Sequence, residues 1–373
     1  MLHPTGVDRV ERAYLRALLA DSKSQLFGIS RTALGFVLLD RRGCLAVATA
    51  LDSGAWGDAD LLSKFNPRLD QARRIGQSFV RRIAFKKARK SRLLAMLETH
   101  LPRNYTYINV GHSNLNPRMF DGVDAAQKVV LIHDTIPLDL PNTQRLGARD
   151  EFYQKLKLVS ERADRVICTS SQCEADVRRH LDKIGRVPPI TTALLGIDVP
   201  VLDTKSHPPE SPYFVCVGTI EPRKNHALLL DIWKDWGAEA PPLYICGKRG
   251  WNNEAVFARL DAGIPNVIEQ NDLSDAQIAT LLSGASAMLF PSYSEGFGLP
   301  PAEALTLDCR VVCADLPVYG EILGNSAVYV DVDDRYLWEK TIKKLAVTPR
   351  SDPEPRYEPP TWAVHFKTVL TVI

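Results

Sequence analysis

Short, continuous apolar runs alternate with helical stretches along most of this 373-residue chain. The runs are apolar at every position rather than at every second one, so they predict strands of parallel sheets covered on both faces. Strands are predicted in the first half at 106–110, 128–132, 165–169 and 191–195, with helices at 149–162 and 172–183. Strands are predicted in the second half at 213–218, 243–246, 267–269, 287–290, 310–313 and 327–330, with helices at 225–236, 275–283 and 301–306. The alternation predicts an α/β fold.

A polar segment with three prolines, VPVLDTKSHPPES at 199–211, separates the two series and is typical of a linker. The chain is also long for a single hydrophobic core. We therefore predict a Rossmann-like acceptor-side domain at 1–198, a linker at 199–212 and a nucleotide-sugar-binding Rossmann-like domain at 213–373. The last helix is expected to pack back on the N-terminal domain. Ligands should bind at the carboxyl ends of the strands.

The start of the chain departs from this pattern. A Rossmann-like domain normally opens with a strand, whereas Thr5 and Gly6 favour a turn that enters a helix. Two explanations stay open for the missing first strand. Translation starts upstream in the native gene, or one of the segments 34–39 and 45–49 fills the central position.

Cysteine usage and the absence of export signals predict a cytoplasmic protein. Four of the seven cysteines (positions 168, 216, 246 and 313) lie in predicted strands, and no C-x-x-C pair occurs. No apolar run approaches the roughly 20 residues that a membrane-spanning helix needs. The N-terminus lacks the basic and apolar regions of a signal peptide. We expect neither a disulfide framework nor a metal site.

The segment 287–306 predicts a strand, a glycine-containing loop and a helix that opens with proline. Gly296 and Gly298 allow the backbone to approach a ligand closely, and the new helix directs free N–H groups at the loop. This arrangement suits a diphosphate. Glu295 and Glu303 lie eight residues apart, on either side of the glycines, and would hold opposite ends of an elongated ligand. Taken alone, Glu303 could equally complement the helix dipole.

Other predicted strand ends also carry polar residues. The segment VGTIEPRKN at 217–225 places Gly218 at a strand end and offers Arg223 and Lys224 to an anion. His133 and Asp134 follow the strand 128–132, although a capping aspartate and a structural histidine would give the same pattern. The candidates on the acceptor side are His112, Asn114 and Asp134.

The string PSYSEGFGLPPAEAL at 291–305 resembles the E-x7-E signature of family 4 retaining glycosyltransferases. The resemblance implies the GT-B fold, in which two Rossmann-like domains face each other across a cleft. It assigns the donor sugar's hydroxyls to Glu295 and the nucleotide ribose to Glu303. Segment 217–225 is similar to the family's phosphate-binding segment, in which Arg223 and Lys224 would neutralise the leaving diphosphate, but Thr219 stands where many members carry arginine. The implied catalytic residues are His133, Arg223, Lys224 and Glu295, and the implied donor-binding residues are Gly6, Gly218, Gly296, Phe297, Gly298, Leu299 and Glu303.

The resemblance implies a retaining transferase that moves a hexose, with mannose favoured, from a GDP- or UDP-linked sugar to a glycan or lipid-linked acceptor. Surface polysaccharide synthesis is the expected setting. We expect front-face attack without a cofactor or a metal, because cationic side chains already face the diphosphate. One alternative is a catalytically silent relative that binds a sugar nucleotide or polysaccharide. A metal-dependent, single-domain transferase is disfavoured, because the D-x-D strings at 58–60 and 331–333 do not follow a suitable strand.

The charge is concentrated in one segment. Between Lys64 and Arg92, eleven basic residues accompany one acidic residue, so a local charge of +10 is balanced by −8 elsewhere to give the net +2. The spacing predicts an amphipathic helix with Ala72, Ile75, Phe79 and Ile83 on one face. Such a helix could lie on an anionic membrane at its inner face, or simply cover the domain's own core. No nucleic-acid partner is expected.

Overall fold

The computed structural model describes residues 5–64, 66, 69–210, 212–350 and 356–373. Internal contacts divide the chain into two compact units. The first comprises Met1–Leu131, Leu158–Val166 and Val372–Ile373, and the second comprises Ile132–Lys157 and Ile167–Thr371. This division differs from one at residue 198, and the domain boundaries given above stay a prediction. Position 211 of the predicted linker lies outside the described residues.

The first unit begins with helix α1 (Gly6–Ala20), as the turn at Thr5 predicts. The Thr5 hydroxyl accepts the N–H of Asp8, and the Asp8 carboxylate accepts the N–H of Thr5, so both free donors are satisfied. Strands β1 (Gly28–Thr32), β2 (Gly35–Leu39) and β3 (Lys86–Ala88) then form an antiparallel sheet in that order. The helices that follow are α2 (Arg41–Ser53), α3 (Leu61–Lys64), α4 (Gln71–Arg82), α5 (Leu93–His100) and α6 (Pro117–Gly122).

Two expectations for this region are wrong. Neither segment offered as the missing first strand joins a parallel sheet, because 35–39 is β2 of the antiparallel sheet and 45–49 lies inside α2. The basic stretch 64–92 is not one helix: α4 ends at Arg82, β3 follows, and Lys90–Arg92 forms a 3₁₀ turn. Its positions 65, 67 and 68 lie outside the described residues.

A four-stranded sheet has the order β4-β5-β6-β7, with β4 and β5 parallel. Its strands are β4 (Thr106–Asn109), β5 (Gln127–Ile132), β6 (Arg165–Cys168) and β7 (Ile190–Thr192). The helices along this part of the chain are α7 (Ile136–Asp139), α8 (Ala148–Arg162) and α9 (Ser171–Ile184). All four strands and the two longer helices were predicted with ends within three residues of those observed.

The second unit contains a six-stranded parallel sheet of order β10-β9-β8-β11-β12-β13. Its strands are β8 (Phe214–Val217), β9 (Leu243–Cys246), β10 (Val267–Gln270), β11 (Ala287–Phe290), β12 (Val311–Ala314) and β13 (Val328–Val330). The helices are α10 (His226–Trp236), α11 (Glu254–Ala262), α12 (Asp275–Gly284), α13 (Leu299–Thr306), α14 (Pro317–Leu323), α15 (Arg335–Val347) and α16 (Trp362–Leu370), and 3₁₀ turns lie at Pro141–Thr143, Pro222–Lys224, Gly237–Glu239 and Gly324–Ser326. Phe214, Trp233 and Trp338 fill one face of the sheet. In this strand order the direction of winding reverses between β8 and β11, as in Rossmann folds.

Three further observations complete the fold. Helix α16 packs on residues 193–197, where the N–H of Ile197 donates to the carbonyl of Pro360 at 2.9 Å and His365 Nδ1 lies 3.0 Å from the carbonyl of Leu194. All seven cysteines are buried and unpaired. Within the described ranges, no helix combines the length and apolar content needed to cross a bilayer.

Candidate functional site

The second unit brings the carboxyl ends of β8 and β11 side by side at the centre of its sheet. The chain winds in opposite directions from these two strands, which leaves a crevice at their ends. Residues 218–225 follow β8, and residues 291–298 follow β11. The two segments with the most specific sequence patterns therefore meet where a ligand of this fold binds.

Glu295 is the centre of this meeting point. Its Oε1 lies 2.6 Å from Lys224 Nζ and 2.6 Å from Arg223 Nη1. Only a tenth of its side chain is exposed. Burial by itself would raise the pKa of Glu295, but Arg223 and Lys224 outweigh it and lower that pKa. The carboxylate is therefore ionised and forms ion pairs with both buried cations.

Both cations are held by the chain as well as by Glu295. Lys224 is buried, and its Nζ lies 4.3 Å from the centre of the Phe290 ring. Burial lowers its pKa, and Glu295 opposes that effect. Arg223 donates to the carbonyl of Ser294 at 2.7 Å and to the carboxylate of Glu221 at 2.6 Å. This carboxylate and that of Glu295 keep the pKa of Arg223 above its usual range despite burial.

Gly296 packs against the segment that follows β5. A Cβ atom on Gly296 would lie 2.5 Å from the His133 carbonyl oxygen and 2.9 Å from the Asp134 Cβ. The Thr169 hydroxyl lies 3.2 Å from the same His133 oxygen and 3.4 Å from the carbonyl oxygen of Gly296. Only glycine allows this approach, so the loop after β11 packs directly against the main chain at His133.

Asp134 also belongs to this cluster. Its Oδ1 accepts the N–H of Ile136 at 3.0 Å, which fixes the side chain at the start of α7. Burial raises its pKa, and Glu295 adds to that rise, while Arg223 and His133 oppose it. The structure thus places Asp134, an acceptor-side candidate by sequence, against the loop that carries Glu295.

Four more of the residues predicted to bind the donor lie at the start of α13. Gly298 caps the helix with φ at 95°, and a Cβ there would lie 2.6 Å from Tyr319 Cε1, so both conformation and space require glycine. Phe297 is buried, and Leu299 and Glu303 are half-buried on the first turns of the helix. A Cβ atom on Gly218 would lie 3.3 Å from Lys224 Cε.

Three candidate residues lie in the first unit. Gly6 is the first residue of α1. His112 has φ at 61°, and its Nε2 lies 2.7 Å from the Leu131 carbonyl oxygen. The Oδ1 atom of Asn114 is buried and has no hydrogen-bond partner among the described residues. Whether any of the sequence-selected residues bind ligand stays a prediction.

Sequence reasoning missed Glu221, Thr169 and Tyr319. Glu221 was inside the quoted segment, and its position two residues before Arg223 was an available signal. Thr169 is a polar residue directly after β6, at the end where ligands bind. Tyr319 had no such signal. Among the described residues, no group of three His, Cys, Asp or Glu side chains is placed to hold a metal ion.

Part of the chain is similar in sequence to known proteins. Residues 202–351 match the family model described as glycosyl transferases group 1. The chain is 29% identical over 255 residues to the serotype-specific mannosyltransferase WbdA of Escherichia coli, a match that covers 62% of this chain and 31% of WbdA. It is 27% identical over 229 residues to the O-antigen chain mannosyltransferase RfbU of Salmonella typhimurium, covering 60% of this chain and 62% of RfbU. The chain thus spans about a third of WbdA and less than two thirds of RfbU.

Among solved structures, a trehalose-6-phosphate synthase matches with a TM-score of 0.58 and 11% identity, over 99% of this chain and 94% of the other. Identity this low shows the fold alone. That fold is GT-B, and the α/β and GT-B predictions are confirmed.

Proposed function

We propose that this chain, in which residues 202–351 match the family model of group 1 glycosyl transferases, transfers a hexose, with retention, from a nucleoside-diphosphate sugar to a glycan or lipid-linked acceptor. The observation that carries the proposal is the buried cluster of Arg223, Lys224 and Glu295 at the ends of β8 and β11. Both cations converge on one oxygen of Glu295 at the strand ends where ligands of this fold bind, so an anion bound there would contact both. The similarity to the mannosyltransferases WbdA and RfbU, the second of which acts on the O-antigen chain, supports mannose as the sugar and polysaccharide synthesis as the setting.

In the proposed complex, the diphosphate lies against Lys224, Arg223 and the N-terminal end of α13, where the helix dipole is positive and Leu299, ahead of two prolines, offers its N–H. Glu295 accepts hydrogen bonds from hydroxyls of the sugar, and Glu303 holds the ribose, as the family resemblance implies. The base is guanine or uracil. His133 and Asp134 approach the same loop and would border the sugar.

The proposed reaction is a front-face substitution at the anomeric carbon. The acceptor oxygen forms a bond to that carbon as the bond from carbon to the phosphate oxygen breaks. The acceptor proton passes to the departing phosphate. Negative charge grows on the diphosphate in the transition state, where Lys224, Arg223 and the helix terminus stabilise it. No added metal or cofactor takes part in this scheme.

A thermal-shift panel followed by product analysis tests the proposal. GDP, UDP and their sugars are added one at a time, since a ligand that binds only the folded state raises Tm. We expect GDP-mannose or a UDP-hexose to raise Tm, and NMR of the product to show the donor's anomeric configuration. An inverted product would refute retention. Binding without turnover, across glycan and lipid-linked acceptors, would favour a silent sugar-nucleotide-binding relative.

A lipid-linked acceptor would also place the enzyme at the inner face of the membrane. We include this peripheral location in the proposal. Comparing turnover on a lipid-linked acceptor with turnover on its water-soluble glycan tests it, and equal rates would argue for a soluble acceptor.

A further inference from the structure

The basic stretch contains two kinds of cation. Those on α4 contribute to the fold: Arg81 forms a buried ion pair with Asp60 at 2.7 Å, and Arg82 donates to the carbonyls of Trp56 and Asp58. The second kind lies beyond α4. It consists of Lys86, Lys87, Arg89, Lys90 and Arg92, all exposed and none in an ion pair within the described part of the chain. We refer to these five as the free cations.

Four of the free cations, Lys86, Lys87, Arg89 and Arg92, line a surface cavity that is largely open to solvent. Its volume is about 330 Å³, which lies within the roughly 300–1,000 Å³ of ordinary ligand sites. Ala88, Ala95, Met96 and His100 complete the lining. The sequence from 71 to 97 contains no acidic residue, so the positive potential is not offset locally. Lysines on the edge strand β3 also discourage edge-to-edge pairing of sheets, but that role does not explain Arg89 and Arg92.

Two large apolar side chains are exposed beside the same cavity. Phe85 is 42% exposed and precedes β3, and Leu94 is 45% exposed on the first turn of α5. Lys86 Nζ lies 5.2 Å from the centre of the Phe85 ring. Exposed aromatic and aliphatic side chains among basic residues are the pattern of a protein that lies in a membrane interface.

We propose that this cavity binds the phosphate of an anionic phospholipid headgroup, with Phe85 and Leu94 entering the adjoining apolar layer. Charge complementarity selects an anionic partner, and the two apolar side chains favour a lipid over a soluble phosphate compound. The inference is independent of the proposed sugar transfer. It concerns residues 85–94 and not the long helix expected from the sequence.

Vesicle flotation of the full chain tests the proposal. The vesicles are pure phosphatidylcholine, or the same lipid with a third of phosphatidylglycerol. We expect binding to the anionic vesicles only, with release as salt rises. The variant Lys86→Gln/Lys87→Gln/Arg89→Gln/Arg92→Gln should bind at least about tenfold more weakly. The variant Phe85→Ser/Leu94→Ser should also lose binding, although its charge is unchanged.

A matched control changes four exposed lysines elsewhere, Lys234→Gln/Lys340→Gln/Lys344→Gln/Lys367→Gln, and should bind like the wild type. Nucleotide-sugar binding should be equal in all variants, which separates failure here from failure of the proposed function. Equal vesicle binding by the free-cation variant and the control would overturn the proposal. A thermal shift with pyrophosphate or RNA that the free-cation variant loses, in a protein that does not bind anionic vesicles, would also overturn it.

Discussion

Lys224 Nζ and Glu295 Oε1 lie 2.6 Å apart although 71 positions separate the two residues in the chain. The same oxygen is also 2.6 Å from Arg223 Nη1. Glu221 pairs with Arg223 at 2.6 Å as well, so two buried cations and two carboxylates meet at the ends of β8 and β11. A diphosphate bound there would contact cations that these carboxylates already hold in place, and the predictions about Lys224 and Glu295 follow from that arrangement.

The substitution Glu295→Gln keeps the size of the side chain and removes its charge. We expect kcat to fall at least about tenfold, the effect of losing one charge-assisted contact of about 1.4 kcal/mol. Lys224→Met should lower kcat by at least as much. Stability in urea should fall by roughly 3 kcal/mol in Glu295→Gln, because buried cations lose their partner. Normal kcat in folded variants would remove both residues from the site.

A ligand measurement separates the two roles given to Glu295. A nucleoside diphosphate should raise the Tm of Glu295→Gln at least as much as that of the wild type, because its charge replaces the missing carboxylate. The attached sugar should add stabilisation only in the wild type. An equal contribution of the sugar in both proteins would contradict the assignment of sugar hydroxyls to Glu295.

Gly296→Ala tests the close approach between the loop after β11 and the His133 main chain. The new Cβ would lie 2.5 Å from the His133 carbonyl oxygen, so one segment must move. Donor affinity should fall at least about tenfold, since displaced backbone groups lose their alignment. Gly320→Ala on α14 is the control, because its Cβ would meet no other atom within 4 Å. Alanine in place of glycine in a helix should raise the free energy of unfolding by up to about 1 kcal/mol. Unchanged donor affinity in Gly296→Ala would show that the contact does not position the site.

Activity should persist without divalent metal. The cationic side chains and the helix terminus would stabilise the leaving diphosphate, which is the role of a Lewis acid in metal-dependent enzymes. The measurement is turnover in excess EDTA, with and without added Mg²⁺ or Mn²⁺. A complete loss of activity that Mg²⁺ reverses would count decisively against this mechanism.

His226 should make stability depend on pH. Neither ring nitrogen has a hydrogen-bond partner among the described residues, and burial, aided by Lys224, lowers its pKa to about 3. The pKa is about 6.5 in the unfolded chain, so only the unfolded state gains a proton as pH falls below that value. The contribution of His226 to the free energy of unfolding is therefore fully present above pH 6.5 and is lost progressively as the pH falls toward 3.

We expect this histidine to lower the free energy of unfolding by about 2 kcal/mol as the pH falls from 7 to 5. The check is urea unfolding of the wild type and His226→Leu at several pH values, with the exposed His207→Leu as the control. His226→Leu should show the shallower dependence. Parallel curves for wild type and His226→Leu would exclude His226 as the cause.

Arg81 should matter for folding and not for ligands. Its guanidinium is buried and donates to Asp60 and to the Ser63 hydroxyl, and Arg81 holds the pKa of Asp60 at about 2 although burial opposes it. Arg81→Gln should lower the free energy of unfolding in urea by about 2–3 kcal/mol. This is less than for a fully buried ion pair, because a third of the Asp60 side chain is exposed to solvent. Lys87→Gln, at an exposed position, should cost less than about 0.5 kcal/mol. Equal losses in the two variants would contradict the distinction between structural and free cations.

The parallel strands were predictable because both faces of each are covered. The strands 243–246 and 287–290 were placed with their observed ends, since every position in them is apolar or half-buried. Strand β3 was not, because two of its three residues are exposed lysines and no glycine or proline marks the end of α4. We therefore extended the helical spacing of apolar residues beyond Phe79 into residues that form the edge strand β3.

The candidate site shows a similar limit. Arg223, Lys224 and Glu295 stand out in sequence because each follows a strand end beside glycine. Their ion pairs could not be predicted from the sequence, because these depend on which strands become neighbours in the sheet. Thr169 and Gly296 are 127 positions apart, and their contact depends on the arrangement of two separate strand ends. Local patterns identify residue types at strand ends but not their partners.

The seven buried cysteines make this protein well suited to site-specific labelling. Burial raises the pKa of Cys44 and Cys309 to about 11 and that of Cys216 and Cys246 to about 12, which further suppresses the reactive thiolate. A cysteine introduced in place of Leu94 would therefore react with a maleimide dye without removing any native thiol. An environment-sensitive fluorophore at that position would report, in real time, the moment at which the surface around the free cations leaves water for lipid.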